Sequence, residues 1–323
     1  MSSFGFSSTP WIASGPFAWK VDAVSGDRGR LATQRALFKL MGVLRVRGAP
    51  SLSLRLKRVL GGYGEPLVAR FDDVGIAFDG FDRYWMQFFF RRDFYEPDMY
   101  RLFSRASRLD TFSFVDGGAN IGFWTAILTS RRFGIRRAVA IEASPTTFET
   151  LGHTARACGG RFEVVNKALT AQPGTVSFEQ GLRHESRRIA FGDTNGERVT
   201  VSATTVDLVV RDHGFDPGRT IIKLDVEGAE LDCVSGGTST LESGGILIYE
   251  DHGKDPTSKV TGGLIARGFA CWFIDDDGHL RRVASATEAS AMKLNPQRGY
   301  NFVAVVARVA SDLHERLGLG SDT

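Results

Sequence analysis

From residue 112 onward, short runs of consecutive apolar residues alternate with stretches in which apolar positions recur every three or four residues. Phe112 to Val115 and Ala138 to Ile141 are continuous apolar runs of the kind that form strands buried on both faces. Ile121 to Leu128, between them, carries its apolar positions at helical spacing. The alternation continues with a helix predicted over 145–158, strands over 162–166, 174–178 and 199–203, a helix over 205–213 and a strand over 220–225. Then come a helix over 228–236, a strand over 245–250, a helix over 258–267, and a strand over 270–274 pairing antiparallel with one over 300–306. This order predicts an α/β fold with a doubly wound, mostly parallel sheet. The polar stretch 179–198, with His184, Arg187 and Arg188, is an insertion that reads equally as a surface excursion or a substrate-binding loop. Asp275-Asp-Asp-Gly278 lacks the alternating acids of a calcium loop and reads as a hairpin turn.

Upstream, the pattern changes. Leu67 to Phe78 alternates loosely and predicts a strand or hairpin, followed by an aromatic cluster of Tyr84, Trp85, Phe88, Phe89, Phe90, Phe94 and Tyr95. Such a cluster serves either as a lid packed on the core or as a sugar-stacking wall. Between Arg28 and Leu60 lie nine basic residues and no acidic one, with Leu37, Leu40, Met41 and Leu44, then Leu52, Leu56 and Leu60, at helical spacing. Two basic amphipathic helices are expected there, either packed on the catalytic domain with arginines reaching outward or resting on anionic lipid. The expected organisation is a basic, partly helical extension over 1–66, a hairpin and aromatic segment over 67–110, the α/β domain over 111–310 and a tail over 311–323.

Composition narrows the class further. The 323 residues are 42% hydrophobic, enough for a large core. Cys158, Cys233 and Cys271 are odd in number and lack paired spacing, which argues against a disulfide framework or a zinc site. No apolar stretch approaches a membrane span and the N-terminus lacks signal-peptide character, so a cytoplasmic location is expected, with peripheral contact at the inner face of a membrane if the basic stretch serves that end. The net charge of +3 is small and no nucleic-acid module accompanies the basic residues, so nucleic acid is not an expected partner.

The candidate chemistry begins at the glycine-rich turn Asp116-Gly-Gly-Ala-Asn-Ile-Gly122, between the first strand and its helix. Gly118 and Gly122 permit a sharp turn and close approach of a ligand to the backbone. Glu142, twenty residues beyond Gly122 at the end of the second strand, is placed to accept both hydroxyls of a ribose. A dinucleotide site needs G-x-G-x-x-G, whereas this loop carries an acid at its head. A carboxylate at Asp116 would repel a pyrophosphate but suits the ammonium of a methionine moiety, which points to S-adenosylmethionine and away from a nicotinamide-dependent oxidoreductase.

Five segments follow in order: Glu142-Ala-Ser-Pro145, Asn166-Lys-Ala-Leu169, Thr204-Thr-Val-Asp-Leu208, Lys223-Leu-Asp-Val-Glu-Gly-Ala-Glu230 and Ile248-Tyr-Glu-Asp-His-Gly253. With the glycine loop they resemble the FkbM family of S-adenosylmethionine-dependent methyltransferases over roughly residues 112–253. The resemblance implies a Rossmann-like sheet of the class I methyltransferase kind and methyl transfer, usually to a hydroxyl of a sugar, glycan or polyketide-type acceptor. It implies cofactor contacts from Asp116, Gly117, Gly118, Ala119, Asn120, Gly122 and Phe123 in the loop. Further contacts would come from Glu142, Ala143 and Ser144, from Asn166, Lys167 and Ala168, and from Asp225. Gly117 stands where a valine is commonest, and Asp251-His252 after Glu250 is a second departure.

Two routes to an activated hydroxyl stay open. In one, Asp225, Glu250 and Asp251 hold magnesium or another divalent cation, a set similar to that of metal-dependent sugar O-methyltransferases. In the other, His252 or Glu227 acts as base while Asp225 places cofactor or substrate. A non-catalytic S-adenosylmethionine-binding or membrane-docked scaffold is the remaining alternative. Lys223, on a strand predicted to be buried, needs a carboxylate partner if enclosed.

Overall fold

The computed structural model describes residues 20–22, 66–82, 84–85, 88, 95–180, 188–189 and 197–320, with isolated positions 29, 32 and 33. The expected basic helices of 28–60, Phe89, Phe90 and Phe94, and His184 and Arg187 of the insertion lie outside the described residues.

Lys20–Asp22 (β1) pairs antiparallel with Leu67–Phe71 (β2), which turns back as Val74–Phe78 (β3). The turn is made by Asp72-Asp73, with Asp72 in the left-handed region at φ 49°. Leu67, Ala69 and Phe71 alternate inward on β2, whereas β3 is buried throughout. After the aromatic residues comes a helix, Pro97–Arg105 (α1), with proline in its first turn and Asp98 beside it, an arrangement that suits a helix start. Of the aromatic residues ahead of it, Trp85 and Phe88 are buried and stack on Phe123, with ring centroids 6.3 and 6.2 Å from that ring.

The α/β alternation then begins. Ser113–Gly117 (β4) leads to Phe123–Leu128 (α2), Arg137–Ile141 (β5), Pro145–Ala157 (α3) and Glu163–Val165 (β6). Ser144 caps α3, its hydroxyl accepting from the Thr147 N–H, and Pro145 follows in the first turn. Next come Ala168–Leu169 (β7), Gly174–Gln180 (β8), Arg188–Ile189 (β9), Glu197–Thr204 (β10) and Val206–Asp212 (α4). Thr220–Leu224 (β11), Glu230–Ser235 (α5), Thr238–Glu242 (α6) and Ile246–Glu250 (β12) complete the parallel half. Lys259–Ala266 (α7), Phe269–Ile274 (β13), Leu280–Val283 (β14), Ala286–Met292 (α8), Asn301–Val306 (β15) and Leu313–Leu317 (α9) finish the fold.

Among the described residues, eight strands form the central sheet in the order β14-β13-β15-β12-β11-β4-β5-β6. Strands β12, β11, β4, β5 and β6 run parallel, while β15 is antiparallel to both β12 and β13. This is the Rossmann-like, doubly wound α/β architecture expected. Successive residues serve opposite faces: Phe114, Ile248 and Val303 join one apolar layer, and Val115, Tyr249 and Phe302 the other. That two-sided burial is why these strands are continuous apolar runs in the sequence.

The strands over 174–180 and 197–204 do not extend the central sheet as the alternation suggested. They pair with each other and, with β7 and β9, form a four-stranded side sheet in the order β7-β10-β8-β9. On β8, Thr175 and Ser177 are exposed and Val176 between them is half-buried, which fits a sheet covered on one side only. The Asp275 to Gly278 segment is the hairpin turn expected, with the Asp275 N–H donating to the His279 carbonyl at 3.0 Å between β13 and β14.

The β2–β3 hairpin docks on α3. The Ala77 N–H donates to Thr154 Oγ1 at 3.0 Å in a buried contact, and Arg161 Nη2 lies 2.6 Å from Asp73 Oδ2. The Arg161 guanidinium holds the Asp73 carboxyl down at about 2. Replacing Thr154 by valine keeps the side-chain volume but leaves the Ala77 N–H without its acceptor. The expected loss is about 1–3 kcal/mol of stability, read from urea unfolding.

Candidate functional site

The sheet reverses its winding between β4 and β11: the chain runs outward through β5 and β6, then returns to β11 on the opposite flank of β4. In such sheets the crevice at the carboxyl ends of the strands beside the reversal is where ligands bind. The glycine loop lies there. Gly118, at φ 72°, packs so closely on the end of β11 that a Cβ would collide with the Asp225 carbonyl oxygen. Gly122, at φ 82°, has Leu151 Cδ1 at 2.6 Å from where a Cβ would be. The Gly118 and Ala119 N–H groups both donate to the Ile141 carbonyl, at 3.0 and 2.9 Å, tying the loop to the end of β5.

Glu142 fastens the same two elements through its side chain. Its Oε2 accepts the Asn120 N–H at 2.9 Å and its Oε1 accepts the Ser144 N–H at 2.8 Å. Asn166 supports it from behind, donating through Nδ2 to the Glu142 and Ala143 carbonyls at 2.8 and 3.2 Å. Asn120 adopts φ 53°, and its Oδ1 is buried without a hydrogen-bond donor, an acceptor held ready for a ligand.

A second group of side chains lies beside the loop. Lys223, on β11, is enclosed, with Nζ 3.3 Å from Asp225 Oδ2. Burial works against its ammonium, but Asp225, Glu96, Asp116 and Glu250 together hold it charged and raise its pKa above the ordinary lysine value. Asp116 is buried and accepts the Thr125 hydroxyl at 2.6 Å; burial raises its carboxyl, partly offset by Lys223. Glu96, Asp225 and Glu250 each bring a carboxylate oxygen within 4.8 Å of the others, and all three are half-buried. Burial, then Asp225 and Glu96, push the Glu250 carboxyl well up. Burial lifts Glu96 to about 7, against the pull of Lys223.

Most of the expected cofactor residues come together through contacts: the loop is bonded to Glu142, Glu142 to Ser144 and Asn166, and Gly118 packs on Asp225. Phe123 differs, because its ring lies in the core against Tyr95 at 4.6 Å, which leaves the backbone to face a ligand. Lys167 is exposed. Glu227 is exposed on a left-handed turn at φ 53°, and Glu230 is buried with Oε1 accepting the Val226 and Gly228 N–H groups of that turn. His252 is half-buried, its Nδ1 accepting the Lys254 N–H at 3.0 Å, and burial followed by Lys254 and Lys293 lowers its pKa.

Asp251 requires a correction. Its carboxylate does not join Asp225 and Glu250 but is sealed in an ion pair with Lys293 at 2.8 Å, both side chains 1% exposed. The Thr261 hydroxyl donates to its other oxygen at 2.7 Å. Glu96 stands where a third carboxylate was expected. The set does not suit a divalent cation, because Lys223 already places an ammonium against Asp225 and within the field of the other carboxylates. Glu96, Asn301 and Trp124 lie outside the motifs that the sequence offers as a site. Asn301 Nδ2 donates to Glu96 Oε1 at 3.2 Å, and Trp124 Nε1 donates to Glu96 Oε2. The available signal was an acid directly before a proline at the end of an aromatic run.

The profile of the methyltransferase FkbM domain matches residues 116–282, about half of the chain. The chain belongs to the FkbM methyltransferase family. The FkbM segment therefore spans β4 to β14, whereas Glu96 and Asn301 lie outside it. A curated relative, the hexuronic acid methyltransferase AglP of Haloferax volcanii, is 29% identical over 164 residues. That alignment covers 50% of this chain and 64% of the relative's length. Among solved structures, the methyltransferase FkbM from Methylobacillus flagellatus KT is 17% identical, covering 64% of this chain and 50% of that one, with a TM-score of 0.39. The precorrin-6y C5,15-methyltransferase from Geobacter metallireducens GS-15 is 12% identical, covering 65% and 87%, with a TM-score of 0.37.

The reassignment of Asp251 is open to measurement. Asp251→Ala leaves Lys293 enclosed without its counter-charge and is expected to cost about 3–5 kcal/mol in urea unfolding. Ligand affinity at the crevice should stay within about threefold of wild type, a difference of less than about 1 kcal/mol.

Proposed function

We propose that this FkbM-family protein transfers a methyl group from S-adenosylmethionine to a hydroxyl of a sugar or glycan acceptor. The observation that carries the reading is the Glu142 carboxylate, which binds the glycine loop through Asn120 at the strand ends beside the winding reversal. A ribose there is held by Glu142, and the methionine end lies along Asp116 to Asn120. Their geometry favours a cation, since Asp116 is buried and Asn120 Oδ1 has no donor of its own.

S-adenosylmethionine supplies a methyl group made electrophilic by a sulfonium. The protein's part is to hold an acceptor oxygen in line with that methyl and to take up its proton. With the cofactor over β4 and β5, the acceptor approaches from the ends of β11 and β12, where Asp225 and Glu250 stand. Carboxylates there accept hydrogen bonds from sugar hydroxyls. They repel an acceptor carboxylate, so a hexuronic acid of the kind named for the relative AglP would present a hydroxyl rather than its acid group. The Lys223 ammonium, 3.3 Å from Asp225 Oδ2, positions that carboxylate at the strand end. Membrane docking through the basic residues of 28–60 is a separate proposal, and among the described residues no helix is long and apolar enough to cross a membrane.

Calorimetry tests the cofactor assignment directly. Glu142→Ala removes charge-assisted hydrogen bonds of about 1.5–3 kcal/mol each and should weaken S-adenosylmethionine binding at least about tenfold. Tight binding of NADH with none of S-adenosylmethionine would overturn the proposal.

A further inference from the structure

Glu96 comes from the segment ahead of the FkbM-matched residues, yet its carboxylate lies within 4.8 Å of those of Asp225 and Glu250, across the strand ends from the glycine loop. It is not a surface acid that has drifted inward. Each oxygen is fixed by its own donor, Oε1 by Asn301 Nδ2 from β15 and Oε2 by Trp124 Nε1 from α2. Its backbone is held at φ 40° and ψ 62°, a left-handed conformation that costs energy for a residue with a side chain. Three of the five described non-glycine residues with positive φ, Glu96, Asn120 and Glu227, surround this crevice. The two donors from distant elements hold the carboxylate at this point and offset the strained backbone.

The placement gives it a task that the other two acids meet less well. Asp225 is engaged by the Lys223 ammonium. Glu250 is held strongly towards its protonated form by burial and by Asp225 and Glu96. We infer that Glu96 faces the methyl-bearing sulfur and is the base that takes the acceptor hydroxyl's proton. The inference rests on the S-adenosylmethionine reading above. In the step, the acceptor oxygen forms a bond to the methyl carbon as the carbon–sulfur bond breaks, and that bond's electron pair stays on sulfur to give S-adenosylhomocysteine. The acceptor proton passes to the Glu96 carboxylate and then to solvent.

The groups that set its protonation are Lys223 and Asp225 from β11, Glu250 from β12, Asp98 on its own helix and the neighbouring Tyr95, with Asp116 acting through Lys223. Burial and the acids favour the neutral form; Lys223 and the Trp124 N–H favour the anion, and the balance falls near 7. A sulfonium facing Glu96 adds another positive charge, whereas S-adenosylhomocysteine carries a neutral sulfur. S-adenosylmethionine must therefore gain on S-adenosylhomocysteine as pH rises through the titration of Glu96 and lose that advantage as pH falls.

The test is calorimetric and needs no acceptor. In the full chain, the affinity ratio of S-adenosylmethionine to S-adenosylhomocysteine should rise about tenfold between pH 5.5 and 8.5, the change that a shift of one unit in the Glu96 pKa produces. Glu96→Gln should bind S-adenosylhomocysteine as wild type does and show a flat ratio. Glu250→Gln should keep the step, moved to lower pH because a neighbouring acid is gone. Trp124→Phe, which removes a donor favouring the anion, should move it to higher pH and serves if Glu96→Gln fails to fold. With a methyl glucuronide as acceptor, Glu96→Gln should release S-adenosylhomocysteine about 10²–10⁴-fold more slowly, with the acidic limb of the rate profile gone. A ratio independent of pH in the wild type, a step that survives in Glu96→Gln, or one lost only in Glu250→Gln would overturn the inference while leaving the cofactor reading intact. Absence of binding by either sulfur ligand would remove the cofactor reading itself.

Discussion

A lysine ammonium enclosed at the end of a central strand has to be surrounded by negative charge, because an unpaired charge out of water is far too costly for a fold of ordinary stability. Lys223 imposes that condition on everything around it. Asp225 answers from the same strand, Asp116 from the neighbouring strand, Glu250 from the next strand on the other side and Glu96 from outside the sheet. The four carboxyl groups outnumber the one ammonium, and burial together with their mutual repulsion pushes Glu250, Glu96 and Asp116 towards their neutral forms. A further positive charge would draw those acids back towards their anions, and this crowding arises where the winding of the sheet reverses.

The site is therefore wider than the segment that defines the family. The glycine loop, Glu142 and Asp225 fall within residues 116–282, but the orientation of Glu96 depends on Trp124 inside that segment and on Asn301 beyond it. The upstream part contributes packing as well as chemistry. Trp85 and Phe88 stack on Phe123, at the start of the helix that follows the glycine loop. Thr154 and Arg161 receive the hairpin on and just beyond the helix that Ser144 caps beside Glu142. The upstream segments thus brace both elements that grip the glycine loop.

Much of this was legible in the sequence, for reasons that also explain the failures. The central strands were readable because burial on both faces makes them unbroken apolar runs, and the loop-to-Glu142 half of the site is a local motif of fixed spacing. The side sheet was misplaced because pairing between β8 and β10 is a tertiary choice that periodicity does not encode. Asp251 was read as a ligand because it follows Glu250, yet its partner Lys293 lies 42 residues away. Glu96 was missed for the same cause at greater range, since Asn301 is separated from it by 205 positions. Lys223 is the instructive middle case: the sequence announced that a partner was required, and only the fold identified four.

The Asp251–Lys293 pair has a consequence for heat. Lys293 Nζ meets Asp251 Oδ1 and the carbonyls of His252 and Asp255, at 2.8, 3.2 and 2.6 Å, so one ammonium gathers the turn that follows Glu250. The hydration that such charges give up on burial becomes less favourable as temperature rises, while apolar burial reaches a plateau. This clasp accordingly weakens less on warming than the apolar contacts around it, and the end of β12 should be among the last parts of the crevice to lose its shape.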